Sequence, residues 1–258
     1  MPEISRYAVI SPGASLADDV RVGPFCYVGP QVRIGPGCVL ENSVTITGKT
    51  TLGANNHVFP MAAIGVADRR AAEAGEVVIG ESNAIHEHAT IYSGPRDVTR
   101  VGNANMIMIA CQVGPGSSLG DHIVLANCTY VGAEAVVEDH VWTSAFIMIQ
   151  PKVTVGAYTM IVGYSEIDQD APPFAMVQGP PLRVRGVNAE NLKRCGFGAE
   201  DIHALKNAFR ELFNGSEEQV NLAVVDKLLA DPQANGQVRR LGEALRRGAA
   251  PKAGAVRP

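Results

Sequence analysis

Two pairs of histidines are the side chains best suited to acid–base or metal chemistry in this sequence. His122 and His140 are 18 residues apart, and His86 and His88 flank a single glutamate. An imidazole titrates near neutral pH and is also the commonest protein ligand for transition metals. Two interpretations stay open, a solvated surface and a zinc site, but no closely spaced further ligands complete a zinc pattern. We therefore predict no metal and no cofactor.

A second polar cluster lies near the C-terminal third, where Asn188, Glu190 and Arg194 fall within seven residues. The forked donors of arginine suit phosphate groups, so an anion site and an exposed charged helix are both consistent with this segment. Further on, the range 233–258 contains six Arg and Lys residues but a single acidic residue, Glu243, a local excess of five positive charges. It is interpreted either as a solvated basic tail or as a patch for an acidic partner.

Cysteine chemistry is not indicated. The chain has five cysteines, an odd number without tight pairing motifs, which favours a reducing compartment over a disulfide scaffold. Cys26, Cys38 and Cys111 occupy small positions of the repeat described next, and we expect them to fill the core.

A six-residue repeat must position all of these groups. Reading every sixth residue gives an unbroken aliphatic register, which comprises Ile10, Leu16, Val22, Val28, Ile34, Leu40, Ile46, Leu52, Val58 and Ile64. The register restarts at Ile79 and again at Val101, and runs to Ile167 with Thr143 as its only polar member. A smaller residue two positions before each anchor indicates strand alternation. Each hexad is therefore a short strand followed by a corner.

Such a unit cannot bury its apolar residue alone, so successive hexads are predicted to wind into a solenoid of parallel strands. Glycines follow many anchors, and we expect them to supply unusual backbone dihedral angles at the corners. Because 18 residues complete one coil of three hexads, His122 and His140 should stack in one outer column about 4.8 Å apart. The anchor spacing lengthens at 66–78 and 92–100, where we expect loops to leave the solenoid.

These patterns predict an order of domains. Residues 1–170 form the β-helix, 171–187 a linker, 188–247 a helical domain and 248–258 a flexible tail. The helical periodicity is carried by apolar residues that include Leu192, Ile202, Leu205, Phe209 and Leu212. These helices would cover the open edge of the last coil.

Composition excludes several classes of protein. The net charge of −4 over 258 residues argues against nucleic-acid binding, and 46% apolar residues argue against disorder. No stretch approaches the length of a transmembrane span, and no signal peptide is evident, so we expect a cytoplasmic protein without membrane insertion.

The motif from Gly186 to Phe197, GVNAENLKRCGF, carries a specific resemblance together with GPFCYVGP at 23–30 and the loop between Ile64 and Ile79. The chain resembles the UDP-N-acetylglucosamine O-acyltransferases that open lipid A biosynthesis. The resemblance implies a left-handed parallel β-helix, a cytoplasmic homotrimer and transfer of an acyl chain from acyl carrier protein to the sugar nucleotide. It implies sugar-nucleotide contacts at Asn188, Glu190, Arg194 and Asp68, and it makes the basic C-terminal region a candidate surface for acyl carrier protein.

The catalytic positions depart from the family pattern. Pro115 occupies the position of the family's general base, Gly116 that of the aspartate that orients it, and Glu134 and Gln150 those of two further histidines. A proline side chain cannot accept a proton, and an ordinary carboxylate with a pKa near 4.3 is a weak base for an alcohol.

We therefore predict a homologue without this transferase activity, a ligand-binding or regulatory paralogue. An acyltransferase that uses another base, and a structural or adaptor trimer, remain the alternatives.

Overall fold

The computed structural model describes residues 1–67, 75–94, 97–213, 220 and 222–248. Its strands, most of them two residues long, follow the hexads in chain order: β1 Glu3–Ile4, β2 Val9–Ile10, β3 Ser15–Leu16, β4 Arg21–Val22, β5 Tyr27–Val28, β6 Arg33–Ile34, β7 Val39–Leu40, β8 Thr45–Ile46, β9 Lys49–Leu52, β10 His57–Val58, β11 Ala63–Ala67, β12 Glu76–Ile79, β13 Ala84–Ile85 and β14 Thr90–Ser93. The second half continues with β15 Val98–Val101, β16 Met106–Ile107, β17 Gln112–Val113, β18 Ser118–Leu119, β19 Val124–Leu125, β20 Tyr130–Val131, β21 Val136–Val137, β22 Trp142–Thr143, β23 Met148–Ile149, β24 Thr154–Val155, β25 Met160–Ile161, β26 Glu166–Ile167, β27 Ala175–Gln178 and β28 Arg183–Val187.

Every third strand pairs in parallel, which produces the three sheets of a prism. Face A contains β1, β4 and their successors to β25, then β27 and β28; face B runs from β2 to β26, and face C from β3 to β24. The regular register is 18 residues, as in Met106↔Val124 and Gln112↔Tyr130. The aliphatic anchors point inward and are buried, with Ile46, Ile64, Ile91 and Leu125 at 0% exposure.

The interior also contains a polar ladder. Asn56, Asn83 and Asn105 stack on successive coils and are almost completely buried. The Asn56 side-chain oxygen accepts hydrogen bonds from the backbone and side-chain nitrogens of Asn83, and the Asn83 oxygen accepts one from the Asn105 backbone. Side-chain amides thereby pair backbone groups at a corner that would otherwise lose hydrogen bonds on burial.

The glycines act differently from the expectation. Seventeen of the described non-glycine residues have φ between 53° and 65°, and all of them except Phe174 lie three positions after an anchor, as at Phe25 and His140. The glycines directly after the anchors are needed for close approach between coils, because a Cβ at Gly23 would lie 2.8 Å from the Glu41 backbone and one at Gly102 would lie 2.5 Å from the Gly120 oxygen. The prediction that these glycines supply unusual dihedral angles is therefore wrong for most of them.

The two predicted loops are shorter than their sequence ranges. The segment 66–78 begins inside β11 and ends inside β12, and the segment 92–100 begins inside β14 and ends inside β15. The pairs Val66↔Tyr92 and Val78↔Arg100 extend the ladder beyond the regular hexads. Additional parallel pairing therefore absorbs residues that the interrupted register assigned to loops.

The segment 171–187, interpreted from the sequence as a linker, is ordered sheet. β27 pairs in parallel with β25, so the coil continues past the last hexad, and β28 returns antiparallel to β27. Phe174 is fully buried and Ala171 bridges to Val155. The proline pair at 172–173 therefore forms a corner of the prism rather than its end.

In the described part of the chain after the last strand there are four helices: α1 Ala189–Arg194, α2 Ala199–Leu212, α3 Leu222–Ala230 and α4 Gly236–Gly248. α2 buries Ile202, Leu205, Ala208, Phe209 and Leu212, the residues whose spacing predicted it. α4 occupies much of the basic range 233–258, and its Val238 and Leu241 are buried. That part of the range is therefore a packed helix, and the predicted tail at 249–258 lies outside the described residues.

Candidate functional site

The positions at which the resemblance expects catalytic residues lie at the corner between faces B and C. Pro115 and Gly116 form the turn between β17 on face B and β18 on face C. The Gly116 nitrogen donates to the hydroxyl of Thr99 at 2.9 Å, and the Glu134 nitrogen donates to the Pro115 carbonyl at 2.9 Å. Hydrogen bonds from backbone nitrogens to a side-chain hydroxyl and to a carbonyl therefore hold this corner.

Two of the other replaced positions carry polar side chains that pair with neighbours. A carboxylate oxygen of Glu134 lies 3.8 Å from the ammonium of Lys152 on the next coil, and both side chains are about half exposed. The Gln150 amide donates to a carboxylate oxygen of Glu166 at 2.5 Å. The structure thus brings Pro115 and Glu134 onto adjacent coils of one corner, with Gln150 on the coil beyond.

Asn188 is committed to the fold. It is 4% exposed, its side-chain nitrogen donates to the Tyr158 carbonyl at 2.8 Å, and its backbone nitrogen donates to the Phe174 carbonyl at 2.8 Å. Asn191 makes a similar contact from its side chain to the His140 carbonyl at 3.2 Å. These two asparagines fasten α1 to the corner between faces C and A.

The charged residues of α1 point away from that contact. The Glu190 carboxylate accepts a hydrogen bond from the Lys193 ammonium at 2.8 Å, and this bond, with the lysine charge, lowers the pKa of Glu190. The guanidinium carbon of Arg194 lies 5.6 Å from the centre of the Trp142 ring. This cation–π contact orients the arginine over face A while it stays exposed to solvent. The fourth predicted contact, Asp68, lies outside the described residues.

The outer histidine column is present as predicted. The rings of His122 and His140 are stacked, with centroids 4.8 Å apart and an interplanar angle of 12°. The column continues through Tyr158 at 4.7 Å and Phe174 at 5.8 Å, and Phe197 meets it edge-on. Arg240 of α4 places its guanidinium carbon 5.6 Å from the Tyr158 and Phe174 rings.

Sequence reasoning missed one contact of this column. The Cys195 sulfur, at the end of α1, lies 3.8 Å from Nδ1 of His140 and 3.7 Å from the side-chain oxygen of Asn191. The only signal in the sequence was that a cysteine replaces the second arginine of the family motif. Burial is the main cause that lowers the pKa of His140, followed by the charge of His122, and burial raises the pKa of the Cys195 thiol.

The second histidine pair is not brought together with the first. His86 stacks on Phe59 at 4.4 Å, which in turn stacks on His57 at 4.1 Å, and His88 is exposed. In the part of the chain that the structure describes, no group of three or more His, Cys, Asp or Glu side chains is arranged to hold a metal ion. Across the same residues, no helix is long and apolar enough to cross a membrane.

The repeat and the C-terminal region both match known families. Residues 13–48 match the bacterial transferase hexapeptide model, and residues 170–251 match domain 2 of UDP N-acetylglucosamine O-acyltransferase. A curated relative from Stutzerimonas stutzeri, an acyl-(acyl-carrier-protein)–UDP-N-acetylglucosamine O-acyltransferase, is 35% identical over 219 residues, covering 83% of this chain and 85% of the relative.

Solved structures agree with this assignment. LpxA from Acinetobacter baumannii superposes with a TM-score of 0.88 at 30% identity, covering 95% of this chain and 96% of that one. The UDP-N-acetylglucosamine acyltransferase of Arabidopsis gives a TM-score of 0.81 at 30% identity, with 95% and 96% covered. The predicted fold class, a parallel β-helix of hexapeptide repeats with C-terminal helices, is confirmed. The chain belongs to the UDP-N-acetylglucosamine O-acyltransferase family.

Proposed function

We propose that this protein is a cytoplasmic, homotrimeric paralogue of the lipid A acyltransferases that binds a phosphorylated ligand of their kind without performing their transfer reaction. The observation that carries the proposal is the proline at the position of the general base. A sugar hydroxyl attacks a thioester poorly unless a positioned base removes its proton.

The histidines of the same chain lie away from this corner. His122 and His140 lie at the corner between faces C and A, His57 is on face A, His86 and His88 follow β13 on face A, and His203 is on α2. The corner between faces B and C contains none of the six histidines of the chain. The Glu134 carboxylate is at this corner, but it is exposed and faces the Lys152 ammonium.

Asn188, Glu190 and Arg194, which we call the nucleotide frame, support weak ligand binding. Asn188 is occupied by its contacts with the β-helix, and Glu190 by Lys193, which leaves the Arg194 guanidinium as the exposed phosphate donor of this set. A charge-assisted hydrogen bond contributes roughly 1.5–3 kcal/mol, so we expect dissociation constants from micromolar to millimolar.

The trimer is supported by an exposed apolar band along the corner between faces A and B. Its exposed members are Met106, Ile109, Phe146, Met148 and Tyr164, with Tyr164 81% exposed and stacked on Phe146 at 5.1 Å. Large apolar groups in one contiguous row mark an interaction surface, and a closed threefold contact would cover three such rows at once.

The arginines of α4 support acyl carrier protein as a second partner. Arg239, Arg240, Arg246 and Arg247 lie on one helix with Glu243 as its only acidic residue. Arg246 pairs with Asp226, and Arg239 donates to the Asp231 carbonyl, so the helix presents a partly compensated basic surface to an acidic partner.

Titration calorimetry with UDP, UDP-N-acetylglucosamine and acyl carrier protein tests the proposal. We expect binding of at least one nucleotide that weakens about tenfold or more in Arg194→Ala and is unchanged in the matched control Arg210→Ala, an exposed arginine of α2 that contacts Asn207. Absence of binding to all three ligands would favour the structural trimer. Turnover of 3-hydroxyacyl carrier protein with UDP-N-acetylglucosamine that is abolished by Glu134→Gln would favour the alternative of an active enzyme.

A further inference from the structure

The described residues contain one thiol in contact with an imidazole. The Cys195 sulfur lies 3.8 Å from Nδ1 of His140, within the range of a hydrogen bond to sulfur, although 55 residues separate the two in sequence. Both side chains are half-buried. Cys26, Cys38 and Cys111 are buried, and Cys26 and Cys38 donate to backbone carbonyls inside the prism.

We propose that Cys195 and His140 form a nucleophilic pair whose thiol accepts an acyl group from a thioester. The site lies next to the nucleotide frame, and none of the family's histidine positions contributes to it. The choice of a thioester as the electrophile rests on the proposed function. The activation of the thiol rests only on the contact between Cys195 and His140.

The geometry places a base at the thiol. This base acts against burial, which raises the pKa of Cys195, and competes with the Asn191 side-chain oxygen, which accepts the thiol hydrogen at 3.7 Å. A neutral imidazole that carries its proton on Nε2 has a lone pair on Nδ1, the atom that faces the sulfur. The ring cannot turn freely because it is stacked between His122 and Tyr158, at 4.8 and 4.7 Å. A fixed imidazole that removes a thiol proton is a recurring way to activate cysteine for acyl chemistry.

The charges around His140 keep it available as a base at neutral pH. His122 and Asp121 approach from the preceding coil, Asp139 is its own neighbour, Arg240 comes from α4 and Cys195 from α1. Burial, His122 and Arg240 lower the pKa of His140, whereas the two aspartates raise it, and the balance is a lowered pKa. The lowered pKa favours the neutral imidazole at neutral pH.

An apolar row beside the pair offers a surface for an acyl chain. On the outer side of face A, the strand pairing aligns Val124, Trp142, Met160 and Met176 on consecutive coils. The Trp142 ring is held under the guanidinium of Arg194, the residue before Cys195. A chain attached at the sulfur could lie along this row and bury apolar surface.

The step balances without a redox partner. The Cys195 sulfur attacks the thioester carbonyl carbon as the thiol proton moves to Nδ1 of His140. The bond between that carbon and the departing sulfur then breaks, and the departing sulfur takes the proton from the imidazolium. The products are a Cys195 thioester and a free thiol, with His140 neutral again.

Two probes test this, each followed by peptide mass spectrometry of the full-length protein: iodoacetamide for thiol reactivity and decanoyl-pantetheine for acyl transfer. Cys128, which is exposed, is the internal reference. At pH 7 we expect Cys195 to be labelled about tenfold or more faster than Cys128 by iodoacetamide, and to be the residue acylated by decanoyl-pantetheine.

The variants separate the base from the stack. His140→Phe keeps an aromatic ring in a column that already contains Phe174, and at a φ that Phe174 also adopts. It should slow both reactions of Cys195 by about tenfold or more, whereas His86→Phe, which changes a stacked histidine in the separate column with Phe59, should leave them within about twofold.

Three results would overturn the proposal: equal labelling of Cys195 and Cys128, rates unaffected by His140→Phe, or fast alkylation of Cys195 with no acyl adduct from decanoyl-pantetheine. Because both probes are small and need neither nucleotide nor carrier protein, failure here leaves the proposed ligand binding untouched. Conversely, absence of nucleotide binding leaves this test intact.

Discussion

His122 and His140 stack face to face at 4.8 Å, one complete coil apart, and so convert an 18-residue spacing in sequence into a contact between two imidazoles. The contact disfavours charge on the His140 ring, because a second imidazolium at this distance would repel it. It also joins the β-helix to the C-terminal helices, since the column continues through Tyr158 to the ring of Phe174 and the guanidinium of Arg240.

We expect protein stability to fall on acidification because of His140. The pKa of His140 is lowered in the folded protein, mainly by burial, so the unfolded chain binds its proton more tightly. The protein therefore has its full stability above the pKa of His140 in the unfolded chain, near 6.5. This stability decreases as the pH falls from there towards the lower pKa of His140 in the folded protein.

The test compares urea midpoints at pH 7.5 and 5.5, at one protein concentration, for wild type and His140→Phe. The variant should show a smaller decrease in its midpoint than the wild type on going from pH 7.5 to 5.5. An equal decrease in both proteins would show that other groups dominate the acid sensitivity.

The sequence predicts the stack but not the contact of Cys195 with His140. Stacking follows from the repeat alone, because a fixed number of residues per coil places equivalent positions in register. The Cys195 contact depends on how α1 packs against the corner, and Asn188 and Asn191 determine this through hydrogen bonds to carbonyls 30 and 51 residues away. No local pattern encodes such distances.

The same distinction explains the other differences. Inward anchors were predictable because burial requires one apolar residue per hexad, and the buried Cys26, Cys38 and Cys111 follow from the same rule. The roles of the glycines were not predictable from the local sequence, because Gly23 and Gly102 each lie close to the backbone of a residue on the next coil. The strand at 175–178 was missed because it pairs with β25 at an offset of 16 residues, as in Met160↔Met176, and therefore falls outside the six-residue register.

The asparagine ladder should contribute strongly to stability. Asn83→Ala would leave the Asn105 nitrogen and the Gly102 carbonyl without their Asn83 side-chain partner, while the Asn56 oxygen would keep only the backbone nitrogen of residue 83. Because buried polar groups that lose a partner each cost roughly 1–3 kcal/mol, we expect a loss of about 3 kcal/mol in the free energy of unfolding. Urea denaturation measures it.

Asn207→Ala is the matched control for that change. Asn207 is exposed on α2, where its side-chain oxygen accepts a bond from Arg210 at 3.4 Å. Its replacement should change the stability by less than about 0.5 kcal/mol. Similar decreases in the free energy of unfolding of the two variants would show that the buried asparagine ladder contributes no more to stability than an exposed asparagine.

The apolar band along the corner between faces A and B should hold the trimer together. Light scattering of the wild type should give about 82 kDa, three times the 27.2 kDa chain. Phe146→Glu places a charge in the middle of the band, next to the stacked Tyr164, and should shift the mass towards that of a single chain.

Val136→Glu serves as the control for assembly. Val136 is 39% exposed on face C, away from the band, and its replacement should leave the mass at the trimer value. A wild-type monomer at micromolar concentration would contradict the proposed assembly. A Phe146→Glu variant that remains trimeric would show that the interface does not include the apolar band.

Restoring a histidine at position 115 should not restore transfer. The imidazole of Pro115→His would lack an orienting carboxylate, because Gly116 occupies that position with φ at 70°. Adding Gly116→Asp introduces a Cβ that lies 3.2 Å from that of Asp97 and 3.4 Å from the Glu134 Cγ, so a third carboxylate would be crowded between two existing ones. We expect transfer from 3-hydroxyacyl carrier protein to UDP-N-acetylglucosamine to stay at background in the single and the double variant. Adding Glu134→His removes one of the competing carboxylates and provides the matched comparison. A rate increase of about 10² or more in Pro115→His alone would show that position 115 by itself limits the chemistry, and that the rest of the corner is still organised for catalysis.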